Sequence, residues 1–329
     1  MTGEICNPTT DRPRVESSRE ESLQSRMTVK CRTTMQRRLG ALGTLLFCAL
    51  LHACSPSTES QPGVVEESYL HIRPSWSCDG KTIAFTSMIQ NAVGVYLVDS
   101  SGANVRRLVD GEGVGITWSP DSKWLCFSRA SSLHRIKANG DSLTRLNTYI
   151  GSIRPSWSPD GGRIAFVQRD PPDLSGIWLY DVRTETASQL VSFGDYPSWN
   201  PSGNEIVVLD AQVDPGSGGL IYRFLAVAVV SLSVRSINVF GSGADCGFCS
   251  VNPQGTAIVY GLKPLNDLAQ VWKFDIVTNR HVRLTDDGGD YPAWSPDGKM
   301  IAYTRTTAGD GGLWTMNADG SGKRRLTRP

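Results

Sequence analysis

The side chains that most often perform catalysis are scarce in this sequence of 329 residues. Beyond the N-terminal region only His71, His134 and His281 occur, and no two of them have the spacing of a metal site. No Gly-x-Ser-x-Gly nucleophile motif is present, because the GSG triplets at 216–218, 241–243 and 320–322 lack its spacing. We therefore predict no catalytic residue, no metal and no cofactor. A catalytic pair of carboxylates, as in glycosidases, is left as an alternative, because only the distance between the two groups can reveal it.

Cys246 and Cys249 form a CxxC motif. A redox pair of this kind needs a helix that begins at the motif and lowers the thiol pKa, whereas this one precedes a strand pattern. We interpret the two residues as a candidate disulfide or as two inert thiols, with half of a metal site as the alternative. Cys78 and Cys126 occupy a turn and a strand, and no pairing is predicted for them.

An apolar stretch near the N-terminus has the architecture of a secretory signal. Arg37 and Arg38 precede the apolar residues Leu39–Leu51, which are too few to span a bilayer. Ala53 before Cys54 resembles the end of a bacterial lipoprotein signal, so Cys54 is the predicted lipidation site; a buried core helix is the alternative. We predict an untranslated or disordered extension over 1–34, a signal peptide over 35–53 and a linker over 54–67. The protein would then be exported and periplasmic, with a lipid anchor in the outer membrane.

One phrase of about a dozen residues recurs six times. Its copies are RPSWSCDGKTIAF (73–85), ITWSPDSKWLCF (116–127), RPSWSPDGGRIAF (154–166), YPSWNPSGNEIVV (196–208), CSVNPQGTAIVY (249–260) and YPAWSPDGKMIAY (291–303). The anchor positions Trp76, Trp118, Trp157, Trp199, Val251 and Trp294 lie 42, 39, 42, 52 and 43 residues apart. Because Ser202 and Gln254 replace the Asp in two copies, this Asp is not a catalytic acid used six times. The phrase is a structural unit, and its period fits four short strands with turns.

Each copy predicts the same local structure. The anchor ends a first strand, and Ser-Pro-Asp-Gly supplies a turn in which Pro sets φ, Asp caps the backbone and Gly adopts positive φ. Apolar runs such as Ile164–Val167 follow as second strands, and third and fourth strands follow in turn. The apolar stretch Leu220–Phe240 is interrupted by Arg223 and Arg235, so it predicts outer strands of the fourth repeat rather than a membrane span. The fold class is therefore all-β, a six-bladed β-propeller of four-stranded antiparallel blades.

The repeats resemble the TolB-type, WD40-like (PD40) family over residues 68–329. The resemblance rests on WSPDG, the following IAF strand and the later "IW-D…RLT" segment, and it implies a six-bladed propeller. TolB itself carries an additional α/β domain before its propeller, whereas only Ser55–Glu67 separates Cys54 from the first repeat here. The chain is accordingly predicted to be TolB-like rather than TolB proper. Val64–Leu70 is a candidate for pairing with the last strand and latching the ring.

The residues three and four positions before each anchor begin the innermost strand and are predicted to meet at one mouth of the channel. Those with binding chemistry are Arg73, Arg154, Asp195, Tyr196, Phe248, Asp290 and Tyr291. Tyr and Arg are enriched where proteins bind partners. The alternative is that these are solvated loop residues, some of them in Arg–Asp pairs across the ring.

These observations favour a non-catalytic, monomeric scaffold that binds an envelope protein or peptide at this mouth. A carbohydrate- or peptide-acting enzyme with its site in the channel is the alternative, and a spacer without a ligand is a third hypothesis. Beyond residue 53 the chain has 25 Lys and Arg against 27 Asp and Glu, and this net charge of −2, without charge runs, gives no electrostatic reason to expect a nucleic-acid partner.

Overall fold

The computed structural model describes residues 71–89, 91–147, 151–216, 218–241, 244–264, 267–305, 307 and 310–327. The predicted extension, signal peptide, lipidation at Cys54, linker and latch at Val64–Leu70 all lie outside these residues.

The repeated phrase folds into a strand, a tight turn and a second strand in every copy, and two further strands complete each sheet. Blade 1 contains β1 (His71–Trp76), β2 (Thr82–Ser87), β3 (Gly94–Asp99) and β4 (Arg106–Asp110). Blade 2 contains β5 (Val114–Trp118), β6 (Trp124–Arg129), β7 (Ser132–Lys137) and β8 (Thr144–Arg145). Blade 3 contains β9 (Ser152–Trp157), β10 (Arg163–Gln168), β11 (Gly176–Asp181) and β12 (Thr186–Val191). Blade 4 contains β13 (Asp195–Trp199), β14 (Glu205–Val213), β15 (Leu220–Ala228) and β16 (Val234–Gly241). Blade 5 contains β17 (Ala244–Val251), β18 (Ala257–Pro264), β19 (Gln270–Asp275) and β20 (Arg280–Arg283). Blade 6 contains β21 (Asp290–Trp294), β22 (Met300–Arg305), β23 (Gly312–Asn317) and β24 (Arg324–Arg325).

Each sheet is antiparallel, and its strands pair in chain order from the innermost to the outermost. In blade 3, for example, Ala165 of β10 lies opposite Leu179 of β11 on one side and Ser156 of β9 on the other. The predicted all-β, six-bladed propeller is confirmed. The stretch Leu220–Phe240 forms β15 and most of β16, the outer strands of blade 4, as expected. Within the described ranges, no helix is long and apolar enough to cross a membrane.

The turn chemistry inferred from the phrase is also present. In blade 3 the Asp160 carboxylate accepts hydrogen bonds from the Ser158 hydroxyl at 2.5 Å and from the Gly162 amide at 2.9 Å. Gly161 adopts a φ of 75°, a left-handed conformation that glycine tolerates best. Blades 1, 2 and 6 repeat the Ser–Asp bond with Asp79, Asp121 and Asp297. In the two copies without Asp, the side chains of Asn200 and Asn252 accept the turn amides instead.

The core lies between neighbouring blades and not within any one of them. Each of six apolar clusters joins one pair of adjacent blades, and the last joins blade 6 to blade 1 and closes the ring. In that closing cluster Trp76 and Phe85 pack with Leu313 and Leu326. Burying a phenylalanine such as Phe85, which has no exposed surface, contributes about 2 kcal/mol. The anchor Trp118 adds a bond from its indole to the Ser75 carbonyl of the preceding blade at 3.0 Å.

The turn carboxylates make the free energy of unfolding of the propeller depend on pH in the acidic range. Their hydrogen bonds, chiefly from the turn serines, lower the pKa of Asp79, Asp121, Asp160 and Asp297. A folded-state pKa below the ordinary value stabilises the fold above about pH 4, and this stabilisation is lost as the pH falls through the folded-state pKa. We expect Asp160→Asn to lower the free energy of unfolding by about 0.5 kcal/mol at pH 7, a small effect because the turn is exposed.

Urea unfolding between pH 3 and pH 7 measures this effect. The difference between wild type and Asp160→Asn should shrink as the pH falls below about 4, because protonation of Asp160 progressively removes the charge that the turn hydrogen bonds stabilise. Glu112→Gln, at an exposed position, is the matched control and should change little at any pH. If the difference in unfolding free energy between wild type and Asp160→Asn is the same at every pH, the charge of Asp160 does not contribute to stability.

Candidate functional site

All six innermost strands contain an irregularity at the same place. The pairing of β1, β5, β9, β13, β17 and β21 with the second strand of the blade shifts register there. One residue in each strand has a positive φ: Arg73 (58°), Gly115 (65°), Arg154 (55°), Tyr196 (48°), Phe248 (51°) and Tyr291 (53°). This left-handed conformation costs a non-glycine residue about 1–2 kcal/mol. A bulge of this kind redirects a side chain, and here it does so once in every blade.

The six positive-φ residues surround one central cavity of about 170 Å³. Its wall consists of the same three positions from each innermost strand: Arg73–Ser75, Gly115–Thr117, Arg154–Ser156, Tyr196–Ser198, Phe248–Ser250 and Tyr291–Ala293. The structure therefore brings together five of the seven residues predicted to form the mouth. Asp195 and Asp290 directly precede Tyr196 and Tyr291 and are not part of the wall.

Five wall residues form a continuous chain of contacts, which we call the Arg–aromatic arc: Arg154, Tyr196, Phe248, Tyr291 and Arg73. The ring centroids of Tyr196 and Phe248 lie 4.6 Å apart, and those of Phe248 and Tyr291 lie 4.1 Å apart, both edge to face. The Arg154 guanidinium lies 4.0 Å from the Tyr196 centroid, and that of Arg73 lies 4.9 Å from the Phe248 centroid. Such cation–π contacts contribute about 0.5–2 kcal/mol each and fix the side chains in place. Blade 2 contributes Gly115, which leaves a gap in the ring of side chains.

One arginine of the arc is paired with an acid from the neighbouring blade. Arg154 donates through Nη1 to both carboxylate oxygens of Asp195 at 2.5 Å. Arg169, from the loop after β10, forms an ion pair with the same carboxylate. Of the two arginines predicted at the mouth, Arg154 thus forms an Arg–Asp pair with the neighbouring blade, and for Arg73 the described residues include no such pair. Arg169 was missed in the sequence because no repeated position marks it.

Asp290 lies behind the arc in a different environment. Its carboxylate accepts a hydrogen bond from the Tyr291 amide at 2.7 Å and packs against Gly261 of β18. A Cβ at position 261 would lie 2.0 Å from Asp290 Oδ1, so only glycine leaves room for this side chain. Burial raises the pKa of Asp290 to about 6, although the Tyr291 amide and the Arg73 charge oppose the shift.

The two cysteines of the CxxC motif are free thiols in this structure, and the candidate disulfide is not formed. Cys246 is buried in the apolar cluster between blades 4 and 5. Cys249 lines the cavity and donates to the Tyr196 carbonyl at 3.1 Å. Burial raises the pKa of both thiols, that of Cys249 to about 12, so they remain protonated and unreactive at neutral pH.

The described histidine side chains lie away from the cavity. His134 stacks on Phe127, and His281 accepts or donates hydrogen bonds with Tyr260 and Asn238 at the junction of blades 4 and 5. Burial lowers the pKa of both imidazoles. In the part of the chain that the structure describes, no group of three His, Cys, Asp or Glu side chains could hold a metal ion.

A second cavity of about 180 Å³, not predicted from the sequence, lies at the turn end of the channel. It is bordered by Trp76, Trp294 and Val251, and by the prolines of three turns. Val251 stands where the other five copies have tryptophan. The smaller side chain at this anchor position can be read from the sequence, and it is the feature from which a cavity could have been predicted.

Comparison with known proteins places these features in a family. Residues 55–221 match the model of the TolB beta propeller domain, PD40. An uncharacterised protein of Agrobacterium fabrum is 28% identical over 172 residues, which is 46% of this chain and 58% of that protein. The Tol-Pal system protein TolB of Francisella tularensis subsp. mediasiatica is 24% identical over 68% of this chain and 54% of its own length. The chain thus spans little more than half of these two relatives.

Among solved structures, the crystal structure of TolB from Acinetobacter baumannii superposes with a TM-score of 0.60. It is 18% identical, and the match covers 78% of this chain and 62% of that one. At this identity the likeness concerns the fold.

Asp195 and Asp290 occupy the same position in two blades, and we expect opposite effects from their neutralisation. A pKa raised to about 6 means that the ionised Asp290 destabilises the fold above that pH, whereas the protonated group does not. Asp290→Asn should therefore raise the free energy of unfolding by about 1–2 kcal/mol at pH 8, and the gain should disappear below about pH 4. Asp195→Asn removes the shared partner of two arginines and should lower it by about 1 kcal/mol at pH 8.

Thermal unfolding at pH 4 and pH 8 distinguishes the two variants. Wild type and Glu112→Gln serve as references for the general effect of pH and of losing one charge. If Asp290→Asn is destabilising at pH 8 like Asp195→Asn, then the Asp290 carboxylate is stabilised by its surroundings, contrary to this interpretation.

Proposed function

This chain belongs to the TolB β-propeller family, and we propose that it is a non-catalytic binding module that holds a protein or peptide partner at its channel mouth. The observation that carries the proposal is the Arg–aromatic arc. It places three aromatic rings and two guanidinium groups from five blades on one wall. Aromatic residues and arginine are the types that dominate the binding energy of protein interfaces.

The arc is held in position before any partner arrives. The backbone of its five residues is fixed in the left-handed region by the bulges, and the edge-to-face and cation–π contacts restrain the side chains. A partner would therefore lose little affinity to the ordering of this surface. The cavity is also too small to enclose a folded domain, so an extended segment or a single side chain is the part that would enter.

We further propose that the protein acts in the cell envelope as a monomer, exported by the signal at 35–53 and anchored in the outer membrane through a lipid on Cys54. The similarity to Tol-Pal system proteins supports an envelope role and a protein partner. The chain covers only part of those relatives, so their partners are not assigned to it.

An enzyme acting on a carbohydrate or a peptide in the channel is the second candidate. Its support is Asp290, because a carboxyl group with a pKa near 6 suits general acid catalysis. However, this carboxylate lies behind Tyr291 and is not part of the described cavity wall. A binding role therefore accounts for more of the site.

A charge-reversal experiment tests the proposed binding function. The full chain and its Arg73→Glu/Arg154→Glu variant would each be used to capture proteins from an envelope fraction, and captured proteins would then be purified and titrated by calorimetry. We expect a partner that binds wild type and binds the variant at least about 100-fold more weakly, as expected for hot-spot charges.

Arg163→Glu/Lys299→Glu provides the matched control, because both residues are exposed and lie at the turn end of blades 3 and 6. A partner lost equally by both variants would bind elsewhere. Turnover of an oligosaccharide or peptide pool that disappears in Asp290→Asn would favour the enzyme instead.

A further inference from the structure

We infer that the Arg–aromatic arc recognises a single carboxylate on an extended peptide, and that Arg73 is the residue that binds it. This inference rests on the proposed binding function and specifies the chemistry of its ligand. The juxtaposition that carries it is two arginines on the same aromatic wall, of which Arg154 is ion-paired with a carboxylate and Arg73, among the described residues, is not.

The cavity is electrostatically one-sided. Its described wall contains the guanidinium groups of Arg73 and Arg154 and no acidic side chain. Arg154 already binds Asp195 at 2.5 Å, whereas no described carboxylate lies within 4.0 Å of the Arg73 guanidinium. Apolar and aromatic walls focus such an unbalanced charge and raise the local concentration of anions.

Arg73 also has unused hydrogen-bonding capacity. Its guanidinium carbon lies 4.9 Å and 5.3 Å from the centroids of Phe248 and Tyr291, so two rings pack against it. Its Nε is buried and, within the described structure, has no hydrogen-bond partner. Because Nε is closed off from solvent, an acceptor in the cavity would bind the terminal Nη groups of Arg73, which lines the wall. A carboxylate suits the planar guanidinium because it can accept two parallel hydrogen bonds.

The balance of charge favours a carboxylate over a phosphate. Arg73, Arg154 and Arg169 stand against Asp195 and Asp290 here, and the resulting net charge of about +1 matches one negative charge, whereas a phosphate monoester carries about −1.5 to −2 near neutral pH. Asp195 and Asp290 stand directly behind the arc, and they would repel the excess charge of a phosphate.

The shape of the mouth favours an extended peptide ligand that passes through it. Gly115 leaves one side of the ring without a side chain, opposite the aromatic part of the arc in blades 4 to 6. A Cβ at position 115 would come within 3.0 Å of the Arg154 Cα, so this gap is imposed by the close approach of β5 and β9. An extended backbone is narrow enough to use such a gap while its side chains or terminus reach the arc.

The experiment begins with a random heptapeptide library selected on the immobilised full chain. Selected sequences would be synthesised with a free C-terminus, with an amidated C-terminus, and with each Asp or Glu replaced by its amide, and their Kd values measured by calorimetry. We expect one carboxylate to matter, so that its conversion to an amide weakens binding to wild type about 10-fold or more. The C-terminal and side-chain forms reveal which source of the carboxylate is used.

Arg73→Gln should weaken binding of the carboxylate peptide and leave binding of the amide peptide unchanged, so that the two peptides bind the variant with similar Kd values. Arg73→Lys should recover part of the difference, since it keeps the charge without the planar fork. Arg163→Gln, an equal change of charge at an exposed site, should preserve the full difference. The unfolding temperature of each variant confirms that it is folded.

Equal binding of acid and amide peptides to wild type would overturn the inference while leaving the proposed function intact. Selection of peptides whose binding does not depend on any residue of the arc would overturn both. A uronic acid oligosaccharide that binds through Arg73 when no peptide does would show that the carboxylate belongs to a sugar, which contradicts the peptide inference.

Discussion

Burial of apolar sheet faces between neighbouring blades is the interaction on which the rest of this structure depends. A four-stranded blade has two faces to cover and no helix to cover them, so each face packs against the next blade. The six clusters achieve this around the ring, and the packing of Trp76 and Phe85 against Leu313 makes blade 1 the neighbour of blade 6. Since every cluster belongs to two blades, the channel and its mouth exist only when the ring is closed.

Closure in turn explains the bulges. Six innermost strands converge on one axis, and an unbroken strand would alternate its side chains between the two neighbouring blades and never point one along the channel wall. The left-handed residue interrupts that alternation and supplies a side chain to the cavity from each blade. Inter-blade packing holds the strand on both sides of the bulge, and it offsets the conformational free energy that the left-handed residue costs. The site is therefore a product of the fold and not an addition to it.

Much of the fold and the position of the mouth could be predicted from the sequence, because the residues that determine them act locally. The Ser-Pro-Asp-Gly turns and the β-rich runs act over a few residues, and their period counts the blades. The mouth was located by counting back from the anchors, but this count could not separate Tyr196 from Asp195 or Tyr291 from Asp290. The bulge sends only the second of each pair into the cavity, and no alternation of residue types marks a bulge. Arg169 and Gly261 were invisible for a different reason, since their contacts with Asp195 and Asp290 come from other segments of the chain.

Comparison among the six repeats within the chain separates the residues that build the ring from those that give it chemistry. The anchor and turn positions repeat with few changes, and four of the six turns make the same Ser–Asp hydrogen bond. The bulge position, three residues before each anchor, takes Arg, Gly, Arg, Tyr, Phe and Tyr in turn, although its backbone conformation is the same in every blade. If these side chains only completed the fold, six equivalent environments would favour one residue type, as the anchors do. Their variety, arranged as charge on two blades, aromatic rings on three and a gap on one, is what a ring needs in order to bind an asymmetric partner.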